Sequence, residues 1–154
     1  MSTFSKLSYH VVFGTKYRQK SIDDSIQIQL YKYIGGIVRN IGGSMIQIGG
    51  VEDHIHVLTN LPPSKSVSNC IRDIKANSSR WINELPETKS TFAWQKGYGA
   101  FTVSFSQIPI VTRYIENQKT HHLKMTFKQE YLAMLKRHQI PFEDKYLFEA
   151  ENLG

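Results

Sequence analysis

Every second residue of Tyr9-His10-Val11-Val12-Phe13-Gly14-Thr15 falls on one face of an extended chain, which predicts a first strand presenting Tyr9, Val11 and Phe13 together. Ser21-Ile22-Asp23-Asp24 reads as a helix start, with Ser21 as the cap and an acidic residue three positions on. Ile26, Leu30, Ile34, Ile37 and Ile41 recur at helical spacing and Gly42-Gly43 follows, so the first helix is predicted from about Asp23 to Ile41. Met45 to Val51 and Glu52-Asp53-His54-Ile55-His56-Val57-Leu58 are two apolar, strand-like runs close together and predict an antiparallel hairpin. Pro62-Pro63-Ser64 ends that hairpin and caps a second helix, whose buried stripe is predicted as Val67, Cys70, Ile71, Ile74, Ser78, Trp81 and Leu85, with Pro86 as its stop. Glu87 to Lys96 is polar and irregular, and alternation resumes from Gly97 to Phe105 as a fourth strand.

The order βαββαβ predicts an α+β, ferredoxin-like fold of the kind shared with RNA-recognition modules: a four-stranded antiparallel sheet with two helices on one face. Ile55 and Val57 then face the helices, and His54 and His56 lie on the opposite face. Pro109 suits the first turn of a further helix over about 108–120, carrying Val111, Ile115, Gln118 and His122 at helical spacing. Thr126-Phe127-Lys128-Gln129 resembles a capping box and starts a last helix over about 126–138. A chain of 154 residues, 40% hydrophobic, has room for one such domain, with a core over about 6–106.

Charge changes the picture toward a polyanionic partner, because 19 Lys and Arg against 13 Asp and Glu leave a net charge of +6. On the second helix Lys65, Arg72, Lys75 and Arg80 lie off the apolar stripe, where a solvated face and a phosphate-binding face read alike. Lys16, Arg18 and Lys96 add basic groups beside strands, and Phe92 and Trp94 stand in a polar loop where exposed rings could stack on bases. No apolar run has the length of a bilayer span, and the first residues lack the apolar stretch of a signal peptide, so a cytosolic protein is expected. The lone Cys70 sits in an apolar pattern and reads as a buried thiol.

Two histidines on one strand face have Cα atoms roughly 6–7 Å apart, close enough for both rings to reach one cation. Alone, such a pair is most often the polar face of a strand. Tyr114 and Gln118, four apart, share one helix face, with His121 and His122 about a turn further on.

Together, His54-Ile55-His56 and Tyr114-Ile115-Glu116-Asn117-Gln118 resemble the two motifs of the single-tyrosine HUH transposases, the TnpA type of small insertion sequences that move as single-stranded DNA. The likeness extends from Tyr9-His10-Val11-Val12-Phe13 through Pro62-Pro63, Ser79-Arg80-Trp81 and Gln95-Lys96-Gly97-Tyr98-Gly99-Ala100-Phe101 to His121-His122. Transposases associated with repeated palindromes share both motifs, so the subgroup stays open. The resemblance implies that Tyr114 attacks DNA to form a 5′-phosphotyrosine, and that His54, His56 and Gln118 hold Mg²⁺ or Mn²⁺. It further implies DNA hairpins as partners and a homodimer in which the tyrosine acts in trans. Glu52 and Asp53 read as turn residues, though either could orient an imidazole.

Two other readings compete. A non-catalytic RNA-binding module would use the same fold, but Ala100 stands where a stacking aromatic is wanted and Phe101 falls on the opposite face from Tyr98. A structural zinc protein could use His54, His56 and His121 or His122, but a single cysteine weakens it.

Overall fold

The first strand, β1 (Ser8–Gly14), is the sheet's interior partner on two sides. It pairs antiparallel with β3 (His54–Asn60) and with β4 (Gly99–Thr102), while β2 (Ser44–Val51) pairs with the other edge of β3. The strand order in this computed structural model is therefore β2-β3-β1-β4, the ferredoxin-like order expected from βαββαβ. The structure describes residues 2–143 and 147–148.

Helices α1 (Asp24–Ile41) and α2 (Val67–Glu84) cover one face. The stripe Ile26, Leu30, Ile34, Ile37 and Ile41 is buried as predicted and meets Val11, Phe13, Ile55 and Val57 from the sheet. Asp23, not Ser21, caps α1: its carboxylate accepts from the backbone N–H groups of Ser25 and Ile26. Gly42 closes it with φ 101°, a left-handed conformation that glycine adopts without steric cost. The cap of α2 likewise falls later than predicted, at Ser66, whose hydroxyl accepts from Asn69 N–H. The buried stripe of α2 ends on Ile82, four residues after Ser78, while Trp81 lies at its edge, stacked on Tyr33 with ring centroids 4.8 Å apart.

Phe92 and Trp94 are not the exposed base-stacking rings that the polar loop suggested. They are 4% and 7% exposed and belong to the main core. Trp94 meets Phe13 edge-on at 4.8 Å and Phe92 at 4.7 Å, and its Nε1 donates to Ser78 Oγ at 3.0 Å. Asn83 clamps the backbone of Phe92 from both sides, accepting from its N–H at 2.7 Å and donating to its carbonyl at 3.0 Å. The connection between α2 and β4 thus folds inward, because burying two large rings outweighs leaving a polar loop in solvent.

The fourth strand is shorter than predicted and gives way to a 3-10 turn at Phe105–Gln107. The expected helix over 108–120 is divided into α3 (Ile108–Glu116) and α4 (Gln118–His121) by Asn117, at φ −97° and ψ 17°. The last helix, α5 (Phe127–Arg137), has the predicted capping box between Thr126 and Gln129. Its Phe127, Tyr131, Met134 and Leu135 pack on Val12 and Phe101, so the second sheet face is covered as well. No helix among the described residues is long and apolar enough to cross a membrane.

Candidate active site

Strand alternation places His54 and His56 on the face turned toward α5, and both are fully buried, with ring centroids 5.1 Å apart. Opposite them in the β1 register stand Gly14 and Val12. His10, two residues before Val12, shares their face and brings a third imidazole: its Nε2 lies 2.8 Å from His56 Nδ1. The Asp53 carboxylate accepts from His54 Nδ1 at 2.7 Å, so this residue orients a ring rather than serving only the turn. The Glu52 carbonyl accepts from Ile22 N–H at 2.9 Å, a structural role for its backbone.

The break at Asn117 leaves Tyr114 and Gln118 on a common side. Gln118 is buried, with Oε1 3.0 Å from His54 Nε2. The Tyr114 ring lies 5.6 Å from that of His56 and 6.2 Å from that of His10. The four residues singled out as nucleophile and ligands are therefore brought together within one chain.

At their centre is a residue that sequence reasoning missed. Glu130, on α5 and 1% exposed, sets Oε1 3.2 Å from His54 Nε2 and 3.0 Å from the Nε2 atoms of His56 and His122. Its Oε2 accepts from the Tyr114 hydroxyl and, at 3.0 Å, from Gln118 Nε2. His121 Nε2 stands 3.4 Å from that oxygen, and among the described residues it is the buried side-chain polar atom with no hydrogen-bond partner. A signal for Glu130 existed: it interrupts an apolar helix face formed by Phe127, Tyr131 and Met134.

Burial and the paired charges divide the titrating groups. Burial opposes ionisation of Glu130, but hydrogen bonds from His122, His54 and His56 outweigh it and hold the carboxyl far below the usual carboxylate range. Burial also opposes the charge on His54, yet its hydrogen bonds to Asp53 and Glu130 raise it to about 9. For His56 burial wins over Glu130 and lowers it to about 4, and burial with the neighbouring His56 lowers His10 to about 3. Burial, then the Glu130 carboxylate, push the Tyr114 phenol above its ordinary range. Donor atoms of His54, His56, His122 and Glu130 all lie within 4.8 Å of one another, a buried group that can hold a metal ion.

The basic candidates lie elsewhere. Lys75 donates to the carbonyls of Lys96 and Gly97 at 3.1 and 2.9 Å, tying α2 to the segment before β4. Arg72, Lys75 and Lys96 line a cavity of about 430 Å³ whose wall includes Phe92 and Trp94, while Arg80 is exposed on α2 and Lys65 is exposed in the turn before it. Lys16 and Arg18 lie in the turn after β1, with the Arg18 guanidinium 5.2 Å from the Phe148 ring centre. A larger cavity, about 750 Å³, opens beside Asp53 and His122 and is lined by Lys20, Lys119 and Lys124, which sequence reasoning did not select.

The model of the family described as "Transposase IS200 like" matches residues 3–118. The ISDra2 transposase TnpA of Deinococcus radiodurans is 25% identical over 118 residues, covering 73% of this chain and 84% of that protein. The transposase of insertion sequence element IS200 from Salmonella typhimurium is 29% identical over 119 residues, covering 71% and 75%. A Deinococcus radiodurans R1 crystal structure described as that of a transposase superposes with TM-score 0.62 at 25% identity, over 77% of this chain and 95% of that one. A REP-associated tyrosine transposase bound to a REP hairpin shares the fold, with TM-score 0.60 at 16% identity over 79% and 74%. Phe101 is buried beneath α5, so the sheet face that an RNA-binding module would leave open is covered. With its histidine pair, its tyrosine helix and three quarters of its length accounted for in this way, the chain belongs to the IS200-like transposases, whose members are DNA endonucleases and strand transferases.

Proposed function

We propose that this chain cuts and rejoins single-stranded DNA at hairpin-bearing element ends, with Tyr114 as the nucleophile. The observation that carries the reading is the convergence of Tyr114, Gln118 and both strand histidines on one buried carboxylate. The phenol oxygen attacks the scissile phosphorus, the bond from phosphorus to the 3′ oxygen breaks, and that oxygen leaves as a hydroxyl carrying a proton. The phosphotyrosine keeps the ester, so another 3′-hydroxyl can reverse the attack and join a new strand without ATP.

The donor chemistry fits a divalent cation, because the converging nitrogens belong to imidazoles already anchored from behind by Asp53 and His10. His54, His56 and Gln118 would hold Mg²⁺ or Mn²⁺, whose charge polarises a phosphate oxygen. Gln118 bonds to both His54 and Glu130, which fixes its amide beside the nucleophile. The three lysines around the larger cavity supply cationic groups for a strand entering beside His122. Such a substrate places the activity with DNA in the prokaryotic cytosol.

The resemblance also implies a homodimer with the tyrosine helix exchanged. The connector Phe105–Gln107 precedes that helix and could send it across a two-fold interface. Within one chain α3 packs on β2, and the same groove on a partner would receive the exchanged helix in the same way. Refolding His54→Ala with Tyr114→Phe separates the two: cleavage returns in tagged heterodimers only if the tyrosine acts in trans.

The activity itself is tested with end-labelled single-stranded DNA from the flanks of the element. Denaturing electrophoresis should show a covalent protein adduct and a shorter fragment ending in a 3′-hydroxyl, and no cleavage of the perfect duplex. Absence of any adduct across hairpin-bearing strands of both flanks overturns the proposal.

A further inference from the structure

His122 reveals its hydrogen by what it touches. Its Nδ1 lies 2.6 Å from the backbone carbonyl of Met125, and a carbonyl only accepts, so Nδ1 carries the hydrogen. In the neutral ring Nε2 is then a bare lone pair, aimed at Glu130 Oε1 from 3.0 Å. His54 repeats the arrangement, with Nδ1 on the Asp53 carboxylate and Nε2 3.2 Å from the same oxygen. His56 adds a third Nε2 at 3.0 Å.

Three ring nitrogens surround one carboxylate oxygen that has two lone pairs to offer. With its hydrogen held on Nδ1 by the Met125 carbonyl, the neutral His122 ring turns a lone pair toward the Glu130 oxygen in a dry interior, where such a contact is costly. A cation among the four atoms turns every one of these contacts into an attraction. The outer hydrogen bonds, to a carboxylate and to a backbone carbonyl, are the kind that fix the tautomer of a metal-ligating imidazole.

We propose that His122 and Glu130 join His54 and His56 as ligands of the catalytic cation, so that three imidazoles and one carboxylate hold a first-row transition-metal ion in preference to Mg²⁺. This rests on the reading above and deepens it. Both added residues lie beyond residue 118, where the family match ends. Imidazole nitrogen suits transition metals, whereas Mg²⁺ favours oxygen donors and keeps its water. Glu130 then serves two ends of the site, since its other oxygen holds the Tyr114 hydroxyl. Gln118, bonded through Nε2 to that same oxygen, positions the carboxylate and keeps its own ligand atom, Oε1, beside His54 Nε2 at 3.0 Å. Helix α5 is thereby part of the active site and more than a cover for the sheet.

The test is calorimetric titration of the full chain with Mn²⁺ and with Mg²⁺, beside Glu130→Gln and His122→Ala variants whose folding is checked by circular dichroism. Wild type should bind Mn²⁺ at least about tenfold more tightly than Mg²⁺, and each variant should lose about 10- to 100-fold in Mn²⁺ affinity. Pulsed paramagnetic resonance of bound Mn²⁺ in the wild type should show coupling to imidazole nitrogens, with one fewer in His122→Ala. This spectrum keeps the test decisive if Glu130→Gln folds poorly. Unchanged Mn²⁺ affinity in both variants, with binding lost in His56→Ala, overturns the added ligands and leaves the proposed activity standing. Wild type that binds neither ion overturns the added ligands together with the metal site of His54, His56 and Gln118, and the adduct assay still decides the activity.

Discussion

The Tyr114 hydroxyl donates to the carboxylate of Glu130, sixteen residues further along the chain. This bond holds the phenol oxygen at the edge of the histidine group, and burial with the carboxylate keeps its proton on. The ring itself is held independently, by edge contacts with His10, His56 and His121.

Tyr114→Phe should therefore leave the ring in place and remove only the attacking oxygen. Stability should fall by no more than one hydrogen bond to a charged group, about 1.5–3 kcal/mol, and affinity for single-stranded DNA should stay near wild type. Covalent adduct should vanish from denaturing gels. An adduct in the variant, with the DNA-linked peptide mapped elsewhere, rejects Tyr114 as the nucleophile.

Trp94 makes the opposite case, a residue whose effect should be structural. It fills space against Phe13 and Phe92 and satisfies its N–H on Ser78. Trp94→Ala should cost about 3–5 kcal/mol in urea unfolding, the range for deleting a buried aromatic. A surface ring that stacked on DNA would instead lower affinity while leaving the unfolding midpoint unchanged. That result would return Trp94 to the DNA-binding surface.

The difference between these two residues shows what was legible in the sequence. Periodicity reports which face a side chain takes within its own element, so the stripe of α1, the shared face of His54 and His56, and the pairing of Tyr114 with Gln118 could all be read. It does not report what lies opposite. Glu130 meets His56 across 74 residues, a contact created only when α5 lies down on the sheet. His10 was legible in parity, on the face away from Val11 and Phe13, but one histidine in a strand carries no chemistry until His56 stands beside it. Phe92 and Trp94 were misread because an irregular segment has no period, and their burial follows from the space beside Phe13 and Ser78. The cap of α1 moved to Asp23 because its carboxylate reaches two backbone donors.

Gly49 offers a way to move the tyrosine without touching it. In the antiparallel register it stands opposite His56, so its missing side chain would project toward the same face. A Cβ there would come within 2.7 Å of the Ile115 carbonyl oxygen and 2.9 Å of its Cγ2. The backbone of α3 cannot yield locally, since Ile115 is buried and neighbours Tyr114 in the chain. Gly49→Ala should therefore lift α3 from β2, costing about 1–3 kcal/mol as overpacking does, while the sheet keeps its register. Displacing the phenol oxygen by about 1 Å can slow attack about 10²-fold, because alignment with the phosphorus is lost. Single-turnover adduct formation should fall far more than DNA affinity measured on the same preparation, and Gly49→Val should fall further than Gly49→Ala. Wild-type adduct rates in both variants would mean that α3 does not rest on this strand when the DNA is cut, and the placement of Tyr114 on β2 would have to be abandoned for the reacting complex.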